Sequence, residues 1–228
     1  RAGDIVESLI VFDMDGVLAE VTESYREAIV QTVRHFTGQT VTREKIQDYK
    51  NAGGWNNDWA LSQKIASDFG TEVPYQTVID HFNSIFIGND GDGLILRESW
   101  FPREGFLERL SQRHGLSIFT GRLQYELNYT LRRFAPAIQF APVICAEHVT
   151  KSKPDPEGLH MIQAQHPGTK LWYIGDTVDD ARSARAAGVP FIGILSAQHL
   201  SHAETKQLFE QEGAVEIVEN VNEIEGIV

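Results

Sequence analysis

The sequence of 228 residues predicts an α/β protein, with a Rossmann-like doubly wound parallel sheet as its core. Short apolar runs bounded by turn residues recur along the chain, and segments with apolar side chains at helical spacing lie between them. Strands that alternate with helices favour parallel pairing through right-handed crossovers, with helices on both faces. One crossover is exceptional, because residues 14–115 separate the first apolar run from the second.

The apolar runs are typical of strands that are buried on both faces of a parallel sheet. They lie at Leu9–Asp13, Leu116–Thr120, Val143–Ala146, Leu171–Gly175 and Phe191–Leu195, with a weaker run at Val215–Val218. The patterns of helical spacing cover residues 103–113, 123–134, 157–165, 179–187 and 200–211. Each of the later strands is therefore followed by a helix.

The long first crossover predicts a second domain, because one helix and its loops cannot fill it. Apolar side chains recur at helical spacing in residues 25–36, 56–69 and 78–86. The glycine-rich run at 88–93 is typical of a return hinge. We therefore predict a small all-helical domain at 20–93, inserted after the first strand, and a core domain formed by 1–19 and 94–228.

Composition limits the partners of the protein. The chain has 20 Lys and Arg residues against 32 Asp and Glu residues, which gives a formal net charge of −12. Such a chain repels polyanions, so neither nucleic acid nor an anionic membrane surface is an expected partner. The single cysteine, Cys145, cannot form an internal disulfide and fits a reducing compartment, so the predicted location is cytoplasmic. The sequence predicts no particular oligomeric state.

Polar residues gather where the predicted strands end, which is the edge at which doubly wound sheets bind ligands. The first strand is followed by Asp15, the second ends at Thr120, and the fourth is followed by Asp176. Each motif alone is ordinary turn chemistry. Together they place several carboxylates at one edge, which is costly through charge repulsion unless a cation binds there. Magnesium prefers oxygen ligands of this kind.

Four motifs, in this order and after these strands, resemble the haloacid dehalogenase superfamily. They are Asp13-Met14-Asp15-Gly16-Val17, Thr120-Gly121, Lys153-Pro154-Asp155-Pro156 and Gly175-Asp176-Thr177-Val178-Asp179-Asp180. The resemblance covers essentially the whole chain and is to the phosphatase-like branch with an inserted helical cap, which includes phosphoglycolate phosphatases and β-phosphoglucomutases. It implies that 1–19 and 94–228 form the catalytic core, that 20–93 form the cap, and that Mg²⁺ is the cofactor.

The resemblance also implies the roles of individual residues. Asp13 is the implied nucleophile, which forms an aspartyl-phosphate, and Asp15 is the implied general acid and base. Lys153 stabilises the nucleophile and the transferred group. The implied phosphate ligands are Thr120 and Gly121. The implied magnesium ligands are Asp13, Asp15 through its main-chain carbonyl, Asp176 and Asp180, with Asp179 as an alternative to Asp180.

The favoured reaction is the hydrolysis of a small phosphorylated metabolite. Asp15 argues against carbon–halogen cleavage, since a halide leaves without a proton whereas an ester oxygen needs one. A sugar phosphomutase of the same fold remains an alternative, because the first motif suits it equally well. A non-catalytic phospholigand-binding protein is a second alternative, although such a protein has no need to keep all four motifs.

Candidate substrate ligands outside these motifs lie mainly in the helical domain. The segment 49–59 carries Trp, Asn and two Gly residues, which permit stacking, hydrogen bonding and close backbone approach. Asn56 and Asn57 are candidates for contacts with the part of the substrate that is not phosphate. Both tryptophans of the segment could equally be core anchors. Arg122 is a candidate clamp for a second anionic group of the substrate.

Overall fold

A computed structural model describes residues 8–228, and the chain divides into two compact units. Of the described residues, the first unit comprises 8–19 together with Trp100–Val228, and the second comprises Glu20–Ser99. Among residues 8–228, no helix combines the length and the apolar character that a membrane span requires.

Most strands belong to one parallel sheet in the first unit. The strands are β1 (Ser8–Phe12), β2 (Ala19–Glu20), β3 (Ser99–Trp100), β4 (His114–Phe119), β5 (Val143–Ile144), β6 (Leu171–Gly175), β7 (Phe191–Ile194) and β8 (Glu216–Val218). The sheet has the order β5-β4-β1-β6-β7-β8, and its described pairings are parallel. The short strands β2 and β3 pair with each other where the chain leaves and re-enters the first unit.

Helices follow the strands of the first unit and make up most of the second. In the second unit they are α1 (Tyr25–Thr37), α2 (Arg43–Ala52), α3 (Asp58–Asp68) and α4 (Tyr75–Phe86). In the first unit they are α5 (Phe106–Ser111), α6 (Gln124–Phe134), α7 (Glu157–Gln165), α8 (Val178–Ala187) and α9 (His202–Gln211). The predicted α/β class with a doubly wound parallel sheet is confirmed.

The central strand β1 separates two apolar layers, because successive side chains of a strand point to opposite faces. Phe12 lies in a cluster with Phe106 of α5 and Leu127 of α6. Val11 lies in the other cluster, with Leu159 of α7. Burial of each such side chain stabilises the fold by about 1.5–3 kcal/mol, so both helical layers fix the position of β1.

The register of β1 brings three strand ends together. Phe12 pairs with Ile118 of β4 and with Ile174 of β6. Residues that directly follow β1, β4 and β6 therefore share the carboxyl edge of the sheet, where Asp13 and Asp176 lie.

The second unit is helical, and α1 packs against both α3 and α4. The ring of Tyr25 lies 4.0 Å from that of Phe86. The helix α2 is absent from the sequence prediction, because it has few apolar residues and the buried apolar one is Ile46. Its start is instead marked by the side chain of Thr42, which accepts a hydrogen bond from the Lys45 amide at 3.1 Å.

The end of the second unit differs from the predicted boundary at 93. The 3₁₀ turn Leu94–Arg97 contacts α1 and α4, so the unit continues to Ser99. The predicted hinge at 88–93 is a closed turn, in which the Asn89 amide donates to Asp92 Oδ1 at 2.6 Å. Gly88 has a φ of +69°, and a Cβ there would lie 2.2 Å from that oxygen. The glycine therefore permits a tight turn rather than a flexible link.

Candidate active site

Three aspartates meet at the carboxyl edge of the sheet. One carboxylate oxygen from each of Asp13, Asp176 and Asp180 lies within 4.8 Å of the others. The amide of Asp13 donates to the Ile174 carbonyl at 2.9 Å, which extends the β1–β6 pairing to the residue that carries the carboxylate. Among the described residues, this acidic cluster includes Asp180 and not Asp179. The structure therefore favours Asp180 at the position that the motif left ambiguous.

Lys153 lies inside the acidic cluster. Its Nζ atom is 3.1 Å from Asp13 Oδ1 and 2.8 Å from Asp180 Oδ1, and its side chain is 2% exposed. Nζ also lies over the rings of Phe119 and Tyr173, at 4.8 and 5.5 Å from their centroids. One ammonium thus contacts two of the three carboxylates, and the cluster carries an excess of negative charge when all four groups are ionised.

Asp180 uses both of its oxygens to organise the cluster. Oδ1 accepts hydrogen bonds from Lys153 Nζ and from the Tyr173 hydroxyl, at 2.8 and 2.7 Å. Oδ2 accepts from the amides of Asp176 and Thr177, each at 3.2 Å, and from the Thr177 hydroxyl at 3.0 Å. Asp180 therefore fixes the backbone that carries Asp176. Nothing in the sequence indicates that the Tyr173 hydroxyl binds Asp180, because an aromatic residue in a buried strand is ordinarily a core residue.

Burial and neighbouring charges change the pKa values of these groups. Burial, with repulsion from Asp180, raises the pKa of Asp13 well above its usual value, although Lys153 opposes the increase. Burial also acts to raise the pKa of Asp180, but the Lys153 ammonium and the hydrogen bonds outweigh it and lower that pKa. Burial acts to lower the pKa of Lys153, but the carboxylates of Asp13 and Asp180 prevail and raise it. An ionised Asp13 therefore needs more positive charge than Lys153 supplies.

Two motif glycines create the space for the acidic cluster. A Cβ at Gly16, where φ is +76°, would lie 1.9 Å from Asp176 Oδ2. A Cβ at Gly175 would lie 2.5 Å from the Cβ of Asp180. The sequence motifs include both glycines, but the spacing alone does not indicate which carboxylate each one accommodates.

The donor set of the cluster fits a hard divalent cation. Its candidate ligands are carboxylate oxygens, which Mg²⁺ prefers, and they converge from two strand ends and the first turn of α8. A cation would also offset the excess negative charge beside Asp13. The acidic cluster can therefore hold a metal ion, and the residues present suit magnesium.

Asp15 lies beside the acidic cluster and has a different partner. Its Oδ1 accepts a hydrogen bond from Arg122 Nε at 2.7 Å and forms an ion pair with Arg122 Nη2 at 2.6 Å. The Asp15 side chain is 33% exposed, whereas that of Arg122 is 1% exposed. Arg122 thus points into the protein toward Asp15, which differs from its predicted role as a substrate clamp.

The second motif lies at the end of β4. The amide of Thr120 donates to the Ile144 carbonyl at 2.9 Å, which aligns the residue with the neighbouring strand β5. The Thr120 hydroxyl accepts a hydrogen bond from the Arg122 amide at 3.1 Å, while Gly121 is exposed. The structure therefore holds Thr120 at the same sheet edge as Asp13.

The two candidate asparagines lie in the second unit. Asn57 caps α3, because its Oδ1 accepts from the Ala60 amide and its Nδ2 donates to the Tyr75 hydroxyl, each at 3.0 Å. Asn56 is half-buried. The contacts of Asn57 are those of a structural cap, so Asn56 is the stronger of the two candidates for a substrate contact.

The fold and the site together define an α/β protein with a buried nucleophile candidate at an acidic sheet edge that can hold a cation. Comparison with known families agrees with this description. The family model of haloacid dehalogenase-like hydrolases matches residues 10–194. The chain belongs to this family, and the predicted family is confirmed.

Individual relatives extend the comparison. The chain is 33% identical over 202 residues to an imidazoleglycerol-phosphate dehydratase of Phytophthora nicotianae, covering 83% of this chain but only 43% of that protein. It is 26% identical to the N-acetylmuramic acid 6-phosphate phosphatase of Pseudomonas aeruginosa, covering 78% and 77% of the two chains. The crystal structure of a predicted phosphoglycolate phosphatase from Haemophilus somnus superposes with a TM-score of 0.77 at 17% identity, covering 99% of each chain. This last likeness shows a shared fold.

Proposed function

We propose that the protein is a magnesium-dependent phosphatase that hydrolyses a small phosphomonoester through an aspartyl-phosphate on Asp13. The observation that carries the proposal is the environment of Asp13, a buried carboxylate in contact with Lys153 and clustered with Asp176. Membership of the haloacid dehalogenase-like hydrolases supports a phosphatase-like activity, as does the similarity to a bacterial phosphatase of a phosphorylated sugar.

The first half of the reaction transfers the phosphoryl group to the protein. An oxygen of Asp13 attacks phosphorus, and the bond between phosphorus and the ester oxygen breaks. Asp15 donates its proton to the departing ester oxygen, which leaves as an alcohol. Thr120 and the Gly121 amide are the candidates for holding the phosphoryl oxygens during this transfer.

The second half returns the protein to its starting state. Asp15, now ionised, accepts a proton from a water molecule that attacks phosphorus. The bond between Asp13 and phosphorus breaks, so inorganic phosphate leaves, Asp13 is again a carboxylate, and Asp15 is again protonated. Division into two steps replaces one difficult displacement with two easier ones.

Lys153 and the acidic cluster prepare Asp13 for attack. The Lys153 ammonium favours the ionised form of Asp13, and it remains close to the group that Asp13 receives. Bound Mg²⁺, held by Asp13, Asp176, Asp180 and, by the family pattern, the Asp15 carbonyl, would offset the charge of the phosphoryl oxygens. Asp180 also holds Lys153 and the backbone of Asp176 in place.

The substrate class is a small phosphorylated metabolite. We propose that the helical unit at Glu20–Ser99 acts as the cap that restricts access of large substrates. Asn56 is the proposed contact to the part of the substrate that is not phosphate, whereas Asn57 stabilises the start of α3.

The test is phosphate release from a panel of sugar phosphates, phosphoglycolate and amino-alcohol phosphates, measured with Mg²⁺ and with a chelator. We expect release that depends on Mg²⁺ and is lost in Asp13→Asn, while the exposed control Asp48→Asn retains it. Release that survives Asp13→Asn would contradict the role of Asp13. Conversion of a sugar phosphate to its positional isomer without phosphate release would instead establish the phosphomutase alternative.

A further inference from the structure

Arg122 is a buried cation beside the site with no assigned part in the proposed reaction. We propose that Arg122 is a positioning residue, which holds Asp15 by one carboxylate oxygen so that the other oxygen exchanges the proton with the leaving group and the water. The inference rests on the proposed function, because it assigns a task to the partner of the proposed acid and base.

The contacts of the guanidinium fix it on two sides. Nε donates a hydrogen bond to Oδ1 of Asp15 at 2.7 Å, and Nη2 forms an ion pair with the same oxygen at 2.6 Å. Nη1 donates to the Thr130 hydroxyl on α6 at 2.6 Å. Thr130 is 1% exposed, so the guanidinium is tied to a buried point of the helix. A rigid, planar donor group of this kind directs the carboxylate that it binds.

The backbones of both partners are also held. The Arg122 amide donates to the Thr120 hydroxyl at 3.1 Å, and the Arg122 carbonyl accepts from the Ala146 amide at 2.9 Å. Asp15 forms a β-bridge with Ala19, and the following amide, that of Gly16, donates to the Ala19 carbonyl at 2.8 Å. The ion pair therefore joins two anchored loops, and its geometry is a property of the fold.

Exposure distinguishes a positioning role from substrate binding. The Arg122 side chain is 1% exposed, while one third of the Asp15 side chain is exposed. The guanidinium thus lies behind the carboxylate when seen from solvent. A substrate that reaches Asp15 meets the carboxylate first, and direct contact between Arg122 and an anionic group would require the loss of the ion pair between Arg122 and Asp15.

The two carboxylate oxygens of Asp15 differ in their contacts with Arg122, and this difference affects the reaction. Oδ1 accepts a charge-assisted hydrogen bond from Nε and is in an ion pair with Nη2, so Oδ2 is the oxygen suited to proton transfer. Without Arg122, the Asp15 side chain can rotate, and part of the advantage of a positioned acid is lost. The loss affects reactions in proportion to their need for that proton.

The test compares phosphate esters whose leaving groups differ in their need for a proton from Asp15. A p-nitrophenyl ester leaves readily without a proton, whereas an alkyl ester requires one. The measured quantity is the single-turnover rate of phosphoryl transfer to the protein with Mg²⁺, for the native chain and for Arg122→Met. We expect the alkyl-ester rate to fall about 10- to 100-fold and the aryl-ester rate to fall by less than about threefold, since general acid catalysis contributes 10²–10⁴-fold.

Two further variants distinguish a positioning role of Arg122 from a loss of activity through misfolding. Thr130→Val keeps the charge of Arg122 but removes its anchor, so we expect the same preference for the aryl ester with a smaller alkyl-ester loss, about threefold to tenfold. Arg122→Lys keeps a charge but not the planar pair of donors, so its alkyl-ester rate should lie between those of the native chain and Arg122→Met. Unchanged thermal melting of the Thr130 variant excludes misfolding as the cause.

A double-mutant cycle tests whether Arg122 acts through Asp15. In the Asp15→Asn background, Arg122→Met should change the alkyl-ester rate by less than about twofold, because the two residues act as one unit. Losses that multiply, or equal losses with both esters, would overturn the positioning role. The proposed function fails separately, if the native chain transfers no phosphoryl group or if Asp13→Asn leaves the aryl-ester reaction intact.

Discussion

A lysine paired with carboxylates in each unit shows how differently the two units use charge. In the first unit, Lys153 contacts two carboxylates, those of Asp13 and Asp180, at 3.1 and 2.8 Å. In the second, Lys50 contacts one carboxylate, that of Asp58, at 2.6 Å, and donates to the Trp55 carbonyl at 2.8 Å. The two side chains are 2% and 11% exposed.

The difference lies in the balance of charge around each lysine. The pair of Lys50 with Asp58 is neutral, and it ties the end of α2 to the start of α3. Lys153 lies among more negative than positive groups, which is costly in a buried place. A bound cation would offset that imbalance, so the incompletely compensated cluster suits the binding of a metal ion, whereas the neutral pair of Lys50 and Asp58 suits structural support.

The largest expected effect comes from the removal of each lysine in turn. Lys153→Met leaves Asp13 and Asp180 without their ammonium, so we expect phosphate release to be lost and the free energy of unfolding to fall by about 3–5 kcal/mol. Lys50→Met should cost about 1–2 kcal/mol and preserve release, because water can still reach Asp58. Urea unfolding and phosphate assays measure both. Equal effects of the two substitutions would contradict the conclusion that the two lysines have different roles.

Magnesium binding should depend on the first unit alone. At a concentration near 100 times its dissociation constant, Mg²⁺ should stabilise the native chain by about 2.7 kcal/mol. Asp176→Asn removes a charged ligand from the acidic cluster and should abolish most of this stabilisation, whereas the exposed Asp48→Asn should preserve it. Thermal melting with and without Mg²⁺ measures the effect. A full Mg²⁺ shift in Asp176→Asn would place the cation elsewhere.

The two asparagines of the second unit should separate stability from specificity. Asn57→Ala removes the cap of α3 and should cost about 1 kcal/mol of stability without changing the relative rates across substrates. Asn56→Ala should alter those relative rates. The substrate panel and urea unfolding of the two variants give a matched pair. An unchanged ranking in Asn56→Ala would count against its contact with substrate.

The smallest expected effect is a dependence of stability on pH in the second unit. Burial, with repulsion from the stacked ring of His35 at 3.8 Å, lowers the pKa of His81 below 6.5. The unfolded chain therefore binds a proton more readily, and this contribution to stability is present above pH 6.5 and is lost as pH falls through the lower folded pKa. Between pH 7.5 and 5.5, the native chain should lose up to about 0.5 kcal/mol more than His81→Gln, since exposure to solvent weakens the effect. Equal losses in urea unfolding would refute it.

Much of the sheet and its acidic edge is predictable from the sequence. The carboxyl ends of parallel strands share one edge, so a residue such as Asp13 or Asp176 is located once its strand is recognised. The strand β8 has only a weak apolar pattern, but it is still predictable, because a strand at that place continues the alternation of strands with helices. These features depend on local sequence and on the topology that local sequence imposes.

Other features depend on contacts between distant parts of the chain. Nothing in the neighbourhood of Arg122 indicates that its side chain turns inward to Asp15, since that contact joins residues 107 positions apart. The helix α2 is not predicted from the sequence, because it is mostly polar and its one buried isoleucine, Ile46, gives no apolar periodicity. The tight turn at 88–93 depends on Asp92, whose carboxylate binds the backbone of Asn89.

Identification of the residue that is phosphorylated during turnover shows whether Asp13 carries the phosphoryl group. The native chain is mixed with Mg²⁺ and substrate, quenched in acid within one turnover, digested, and analysed by mass spectrometry. We expect a phosphorylated peptide that contains Asp13 and is absent from Asp13→Asn. Phosphate on another residue, or turnover by Asp13→Asn with no phosphorylated peptide, would contradict it.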